Sequence, residues 1–124
     1  MLGEATIYPT VAVKDINAAK EFYGGKLGLK AVDDQPWGVT YQSGSGKLFV
    51  YPSQVAGTNQ ATYASWTVDN VEAVVAELKA KGVVFEHYDD LPETTRDGDI
   101  HTMGPMKAVW FKDPDGNILS CGDM

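Results

Sequence analysis

The sequence predicts an α+β protein made of two similar βαβββ modules, and three features of the chain carry that expectation. Segment 8–13, YPTVAV, is echoed by YASWTV at 63–68, and the same offset pairs Asp15 with Asn70, Ile16 with Val71 and Ala18 with Ala73. Each copy passes from a small or β-branched stretch, through a polar cap, into residues of helical period. Each half also carries a hairpin-type turn, SGSG at Ser43–Gly46 and DPDG at Asp113–Gly116. A unit of this length present in two copies points to a duplicated module rather than a solenoid.

In chain order, Thr10, Val11, Ala12 and Val13 read as a strand, with Asp15 as the cap of a helix from Ile16 to about Tyr23. Gly24 and Gly25 are expected to end that helix. Short strands follow at LKAVDD, GVTYQS and KLFVYPS, which places the first module at residues 5–53. The polar segment QVAGTNQA, 54–61, is the linker, and the second module runs from 62 to 123. Its helix is capped by Asp69 or Asn70, buries Val71, Val74, Val75 and Leu78 along one stripe, and closes at Gly82 after Lys79 and Lys81. The remaining strands are VVFEHYD, KAVWFK and NILSCG. Between the first two of these lies DDLPETTRDGDIHTMGP, Asp89 to Pro105, expected to be a long functional or disordered loop.

Composition narrows the function classes. The chain has 124 residues with 44% hydrophobic and 22% charged side chains, the profile of one globular domain with a core of its own. No apolar run approaches the ~20 residues needed to cross a bilayer. The opening MLGEATIYPT has no basic region followed by an apolar run, so no secretory signal is expected. A single cysteine fits a reducing, cytoplasmic setting. The net charge of -7 repels phosphate backbones and argues against nucleic acid as a partner.

The stretches VKDINAAKEFYGGKLGL and VWFKDPDGNIL, set in a duplicated βαβββ order, resemble the glyoxalase / bleomycin-resistance / extradiol-dioxygenase superfamily, the vicinal oxygen chelate proteins. The resemblance spans about Tyr8 to Cys121. It implies that the two modules curl into a cupped mixed sheet around a pocket, and that the protein is a homodimer. It also implies four metal-ligand positions in metal-dependent members, a His or Glu near the start of each module's first strand and a Glu on each last strand. Here those positions fall at Tyr8, at Tyr63, near Phe49 to Tyr51, and at Ser120. A divalent cation is held by imidazole, thiolate or carboxylate, whereas a phenol with a reference pKa of about 10 keeps its proton at neutral pH. No metal and no cofactor is therefore expected.

Strand alternation then selects a wall. If Tyr8 faces the pocket, so do Thr10 and Ala12, while Val11 and Val13 face the helix. If Tyr63 faces it, so do Ser65 and Thr67, with Trp66 behind; Ser120 brings Ile118, leaving Leu119 and Cys121 in the core. Trp37, Tyr41, Phe49, Tyr51 and Trp110 are further candidates, and the loop bearing His101, Met103 and Met106 is placed over the mouth. Aromatic faces suit a planar or cationic small molecule.

Other chemistry is weakly signalled. His87 and His101 are the only histidines and read as exposed or loop residues; His101 with Glu93, Asp97 and Asp99 is the one cluster of loop donors. Cys121 follows Ser120, but no histidine follows either to activate it. SGSGK lacks the spacing of a phosphate loop, and DPDGN is a turn rather than a calcium loop. The expected function is metal-independent binding of a small organic molecule in an aromatic pocket, by sequestration. The alternative is a lyase, isomerase or dioxygenase of the same superfamily with an atypical metal site or none.

Overall fold

The computed structural model describes residues 1–4 and 6–123, with Leu2 described by its backbone alone. Ala5, where the first module was expected to start, lies outside the described residues. Two sheets share the chain. The first is ordered β1-β4-β3-β2, from β1 (Thr10–Val13), β2 (Lys30–Gln35), β3 (Gly38–Ser43) and β4 (Gly46–Pro52). β1 runs parallel to β4, and the other neighbours are antiparallel. The second follows the order β5-β10-β9-β8-β7, from β5 (Thr62–Thr67), β7 (Thr95–Asp97), β8 (Ile100–Met103), β9 (Met106–Lys112) and β10 (Ile118–Gly122). The short β6 (Phe85–Glu86) pairs with β9.

Both helix starts are set by the side chains that the sequence offers. Asp15 accepts from the Asn17 and Ala18 N–H groups at 3.0 and 3.1 Å and opens α1 (Ile16–Lys20). Asn70 accepts from the Ala73 N–H at 3.0 Å and opens α2 (Val71–Ala80). These bonds satisfy donors that a helix leaves free in its first turn.

The first helix does not stop at Tyr23. It widens into a π turn over Glu21–Lys26, closed by the Leu27 N–H on the Phe22 carbonyl at 2.9 Å. Gly24 and Gly25 lie inside this turn rather than ending the helix. Its effect is to bury two consecutive aromatics. Phe22 and Tyr23 meet edge to face at 5.1 Å; Phe22 packs toward Phe111 of the second sheet and Tyr23 toward Tyr41 of the first.

One core joins the halves. Val11, Val13, Val39, Val50, Leu119 and Phe111 belong to a single buried cluster with Phe22, Tyr23, Val71 and Leu78 of the helices. The modules are also cross-linked by side chains. Asn117, in the β9–β10 turn, donates Nδ2 to the Ala12 carbonyl at 2.7 Å, and Trp66 on β5 donates Nε1 to Ser43 Oγ at 3.0 Å. Each module's hairpin turn thus docks on the other module's first strand.

The segment from Asp89 to Pro105 is not a structureless loop. β7 and β8 form a hairpin around Gly98 and Asp99, and β8 turns into β9 through Gly104 and Pro105. Gly98 and Gly104 have φ of 62° and 57°, a region that glycine reaches without strain. The expected strand 83–89 is cut to β6, because the chain leaves β9 after Glu86 to make room for β8 on the same edge.

Candidate functional site

Register defines the sheet face turned away from the helices. On β4, Leu48 and Val50 enter the core, so Phe49 and Tyr51 take the opposite side. Their rings stack at 6.0 Å and 8°. Thr10 pairs with Phe49 and Ala12 with Tyr51, which carries the same face onto β1. Gly38 makes this arrangement fit: a Cβ there would overlap the Phe49 ring. The sequence reading passed over Gly38, whose role depends on a cross-strand neighbour.

On the second sheet, Val109, Phe111, Leu119 and Cys121 are buried on the helix side. The alternate row runs Ser65, Ser120, Trp110, Glu86 across β5, β10, β9 and β6. Ser65 and Ser120 hydroxyls hydrogen-bond at 2.6 Å. Beside them runs a second row, Thr67, Gly122, Ala108 and His101. Tyr63 falls in the irregularity of the β5–β10 pairing, between the partners of Ile118 and Leu119, and is partly buried against the core. Met103 pairs with Met106 on this side of β8 and β9.

His101 is a buried sheet residue, not a loop residue at a mouth. It is fully buried and meets Trp110 edge to face at 4.9 Å. Tyr88 completes the group, 5.5 Å from Trp110 and also edge to face. The Tyr88 N–H donates to His101 Nε2 at 3.0 Å, so in the neutral ring Nδ1 carries the proton. Among the described residues, Nδ1 has no hydrogen-bond partner. Burial lowers the His101 pKa below its ordinary value. Tyr88 was not among the sequence candidates. Its alternation with Glu86, opposite Trp110, was the available signal.

The loop donors disperse. Asp99 is held by His87 Nε2 at 2.8 Å and by Lys79 of α2 at 2.9 Å, contacts that keep its carboxyl below the usual range. Asp89 is bound by Arg96 at 2.7 Å. Among the described residues, no three of His, Cys, Asp and Glu converge as a metal site. The four positions at which the fold family's metal would be held carry Tyr8, Tyr63, the Phe49–Tyr51 strand and Ser120. This set of phenols, one hydroxyl and a hydrocarbon ring does not fit a divalent cation.

Three other candidates are placed as follows. Tyr41 is 2% exposed and packs with Tyr23 on the helix side, because it shares the parity of Val39; it does not belong to the aromatic face. Trp37 sits on the β2–β3 turn and is 67% exposed. Tyr8 precedes β1 and is 45% exposed. The remaining candidates fall into two groups, one per sheet: Thr10, Phe49 and Tyr51, and then Ser65, Ser120, Trp110, His101 and Met103, with His101 and Ser120 buried and Tyr63 at the β5 irregularity beside them. A cavity of about 610 Å³ lies elsewhere, on the helix side of β5, and none of Phe49, Tyr51, Tyr63 or Trp110 lines it.

This fold recurs in known structures. The glyoxalase family protein from Enterococcus faecalis is 21% identical, with a TM-score of 0.72, and 98% of this chain and 99% of that one are covered. Lactoylglutathione lyase from Agrobacterium tumefaciens is 20% identical, with a TM-score of 0.70 and coverage of 96% and 92%. TnmS3, an antibiotic binding protein from Streptomyces sp. CB03234, is 20% identical, with a TM-score of 0.67 and coverage of 95% of each chain. At this identity the likeness shows the fold, and proteins of different activity share it. Membership rests on the sequence: the model of one family matches residues 6–120, which take in the capped first helix, both module sheets and the DPDGN turn. The chain belongs to the Glyoxalase/Bleomycin resistance protein/Dioxygenase superfamily.

Proposed function

We propose that the protein binds a small organic molecule, planar or cationic, on its aromatic sheet face without a metal, and sequesters it. The observation that carries this reading is the Ser65–Ser120 hydroxyl pair at 2.6 Å beside Trp110. It occupies a position implied for a metal ligand and offers hydrogen bonds instead. Two hydroxyls that share one bond retain one donor hydrogen and free lone pairs for a ligand. The stacked Phe49 and Tyr51 and the half-buried Trp110 supply flat apolar area, and Tyr63 stands at its margin. The carboxylate paired across from Trp110, Glu86, is engaged by Lys112 at 3.4 Å, so a cationic ligand would be held through ring faces. TnmS3, an antibiotic binding protein of the same fold, supports the binding class.

Phe49, Tyr51, Met103 and Trp110 are only partly buried on one chain, which favours a homodimer in which a second copy covers them. The buried Cys121, its thiol pushed up to about 11 by burial, suits a cytoplasmic protein that makes no disulfide. Among the described residues, no helix is long and apolar enough to cross a membrane.

The test is a thermal-shift screen of planar aromatic compounds, neutral and charged, alongside Zn²⁺, Mn²⁺ and Ni²⁺. The reading expects a stabilising organic compound whose effect is lost in Phe49→Ala and in Tyr63→Ala. Stabilisation that survives both substitutions, or that comes only from a stoichiometric divalent ion, would overturn it.

A further inference from the structure

The cavity of about 610 Å³ beside β5 is unexplained by the aromatic face and is built from both modules. Its floor is apolar: Trp66, Val74, Leu78 and Phe111 line it. Trp66 is stacked on Phe111 at 6.4 Å and 19°, and its Nε1–H is already given to Ser43. The indole therefore presents a flat wall with no free donor. The volume is within the range of small-molecule sites, which are mostly apolar with a few placed polar groups.

The polar groups lie at the rim. β5 is the terminal strand of its sheet. The Val68 N–H bonds the Gly122 carbonyl of β10, so strand alternation turns the peptide groups of Ser65 and Thr67 to the other edge, toward the cavity that both residues line. Lys26, at the end of the π turn, lines the same space and takes part in no salt bridge among the described residues. The one carboxylate at the rim, Glu77, faces Lys81 at 3.9 Å.

An apolar slot edged by N–H groups and an ammonium that have no partner among the described residues is complementary to one class of molecule. We propose that this groove is a second ligand site, distinct from the aromatic face, that takes an amphipathic carboxylate. The hydrocarbon or aryl body lies against Trp66, Val74 and Leu78. The carboxylate meets the Lys26 ammonium and the β5 edge. The site owes its existence to the docking of the β3–β4 turn on Trp66, so it exists only where the modules are packed as they are here.

The experiment titrates the ¹⁵N-labelled full chain with 4-phenylbutyrate and, separately, with 4-phenylbutanol, following the three indole N–H signals. The expected result is a saturable shift of the Trp66 indole, with those of Trp37 and Trp110 unmoved. The alcohol should bind about three- to fivefold more weakly, the scale of a partly exposed ion pair. Lys26→Ala, a surface change, should abolish that preference, and Val74→Trp should fill the slot and remove binding. Lys26→Ala decides the matter if Val74→Trp does not fold. No shift at Trp66 up to millimolar probe, a shift at Trp110 instead, or equal binding of acid and alcohol would overturn the proposal.

Discussion

Tyr23 Oη donates to Asp113 Oδ2 at 2.7 Å, and this buried bond ties the first helix to the last hairpin across 90 residues of chain. Asp113 is saturated around it. Its Oδ1 accepts from the Asp115 and Asn117 N–H groups, each at 2.9 Å, and its Oδ2 also accepts from Asn117 Nδ2 at 2.8 Å. Burial, then the neighbouring carboxylate, pushes the Tyr23 phenol far above its ordinary range, so it acts only as a donor. Tyr23→Phe keeps the ring and removes that donor. The expected loss is about 1–3 kcal/mol, the cost of removing a buried hydrogen bond to a charged group, read from chemical denaturation. A change below 0.5 kcal/mol, within the scatter of neutral surface substitutions, would show that the link does not hold the modules together.

The linker bears on the same turn. Gly57 has φ of 74°, and a Cβ there would collide with the Asp115 carbonyl oxygen. Gly57→Ala is expected to cost more than about 1 kcal/mol, because both the backbone conformation and the close approach exclude a side chain. Gly28→Ala is the comparison: its φ is 75°, but nothing stands within 4 Å. A larger loss at Gly28 than at Gly57 would contradict the packing argument.

Much of this was legible in local chemistry. Asp15 announced the first helix start and the Asp69–Asn70 pair the second, where Asn70 proves to be the cap; SGSG and DPDG announced two hairpins, and alternation put Leu119 and Cys121 in the core. Three features were hidden for different reasons. The π turn at Glu21–Lys26 hides behind Gly24 and Gly25, which as a pair signal an end; packing of Phe22 and Tyr23 against two sheets overrides that tendency. The β7–β8 hairpin did leave a signal, the Asp97–Gly98 pair, outweighed by the polarity of the segment. Tyr41 followed the parity of Val39, and only its aromatic character suggested a binding face.

The buried imidazole gives a pH signature. The folded-state pKa of His101 lies below the reference of about 6.5. Between those two values the unfolded chain binds a proton that the folded chain refuses, so stability falls as pH drops through about 6.5 and levels off below the folded value. His101→Gln retains an acceptor for the Tyr88 N–H and cannot titrate. Melting temperatures at pH 7.5 and 5.5 are expected to differ more for the natural protein than for this variant, a comparison in which the other titrating groups cancel. Equal pH dependence would remove His101 as the cause.

The two aromatic residues of similar sequence promise, Tyr41 and Phe49, should separate. Tyr41→Ala empties a core position and is expected to destabilise by about 3 kcal/mol or more, as large aromatic truncations do. Phe49→Ala, on the half-buried open face, should cost less stability and instead weaken ligand binding at least several-fold. Calorimetry of both variants, with any stabilising compound from the screen, distinguishes them. A ligand whose affinity falls in a folded Tyr41 variant but not in Phe49→Ala would reverse the assignment of faces.

The central claim is that aromatic rings and a hydroxyl pair, not a metal, hold the ligand. Native mass spectrometry of the untagged protein tests it most directly, since one spectrum reports metal, oligomer and retained small molecule. The account predicts a metal-free dimer, with any retained mass belonging to an organic compound that is lost in Tyr63→Ala. One divalent ion per chain, retained in Tyr63→Ala and removed only by chelation, would contradict it.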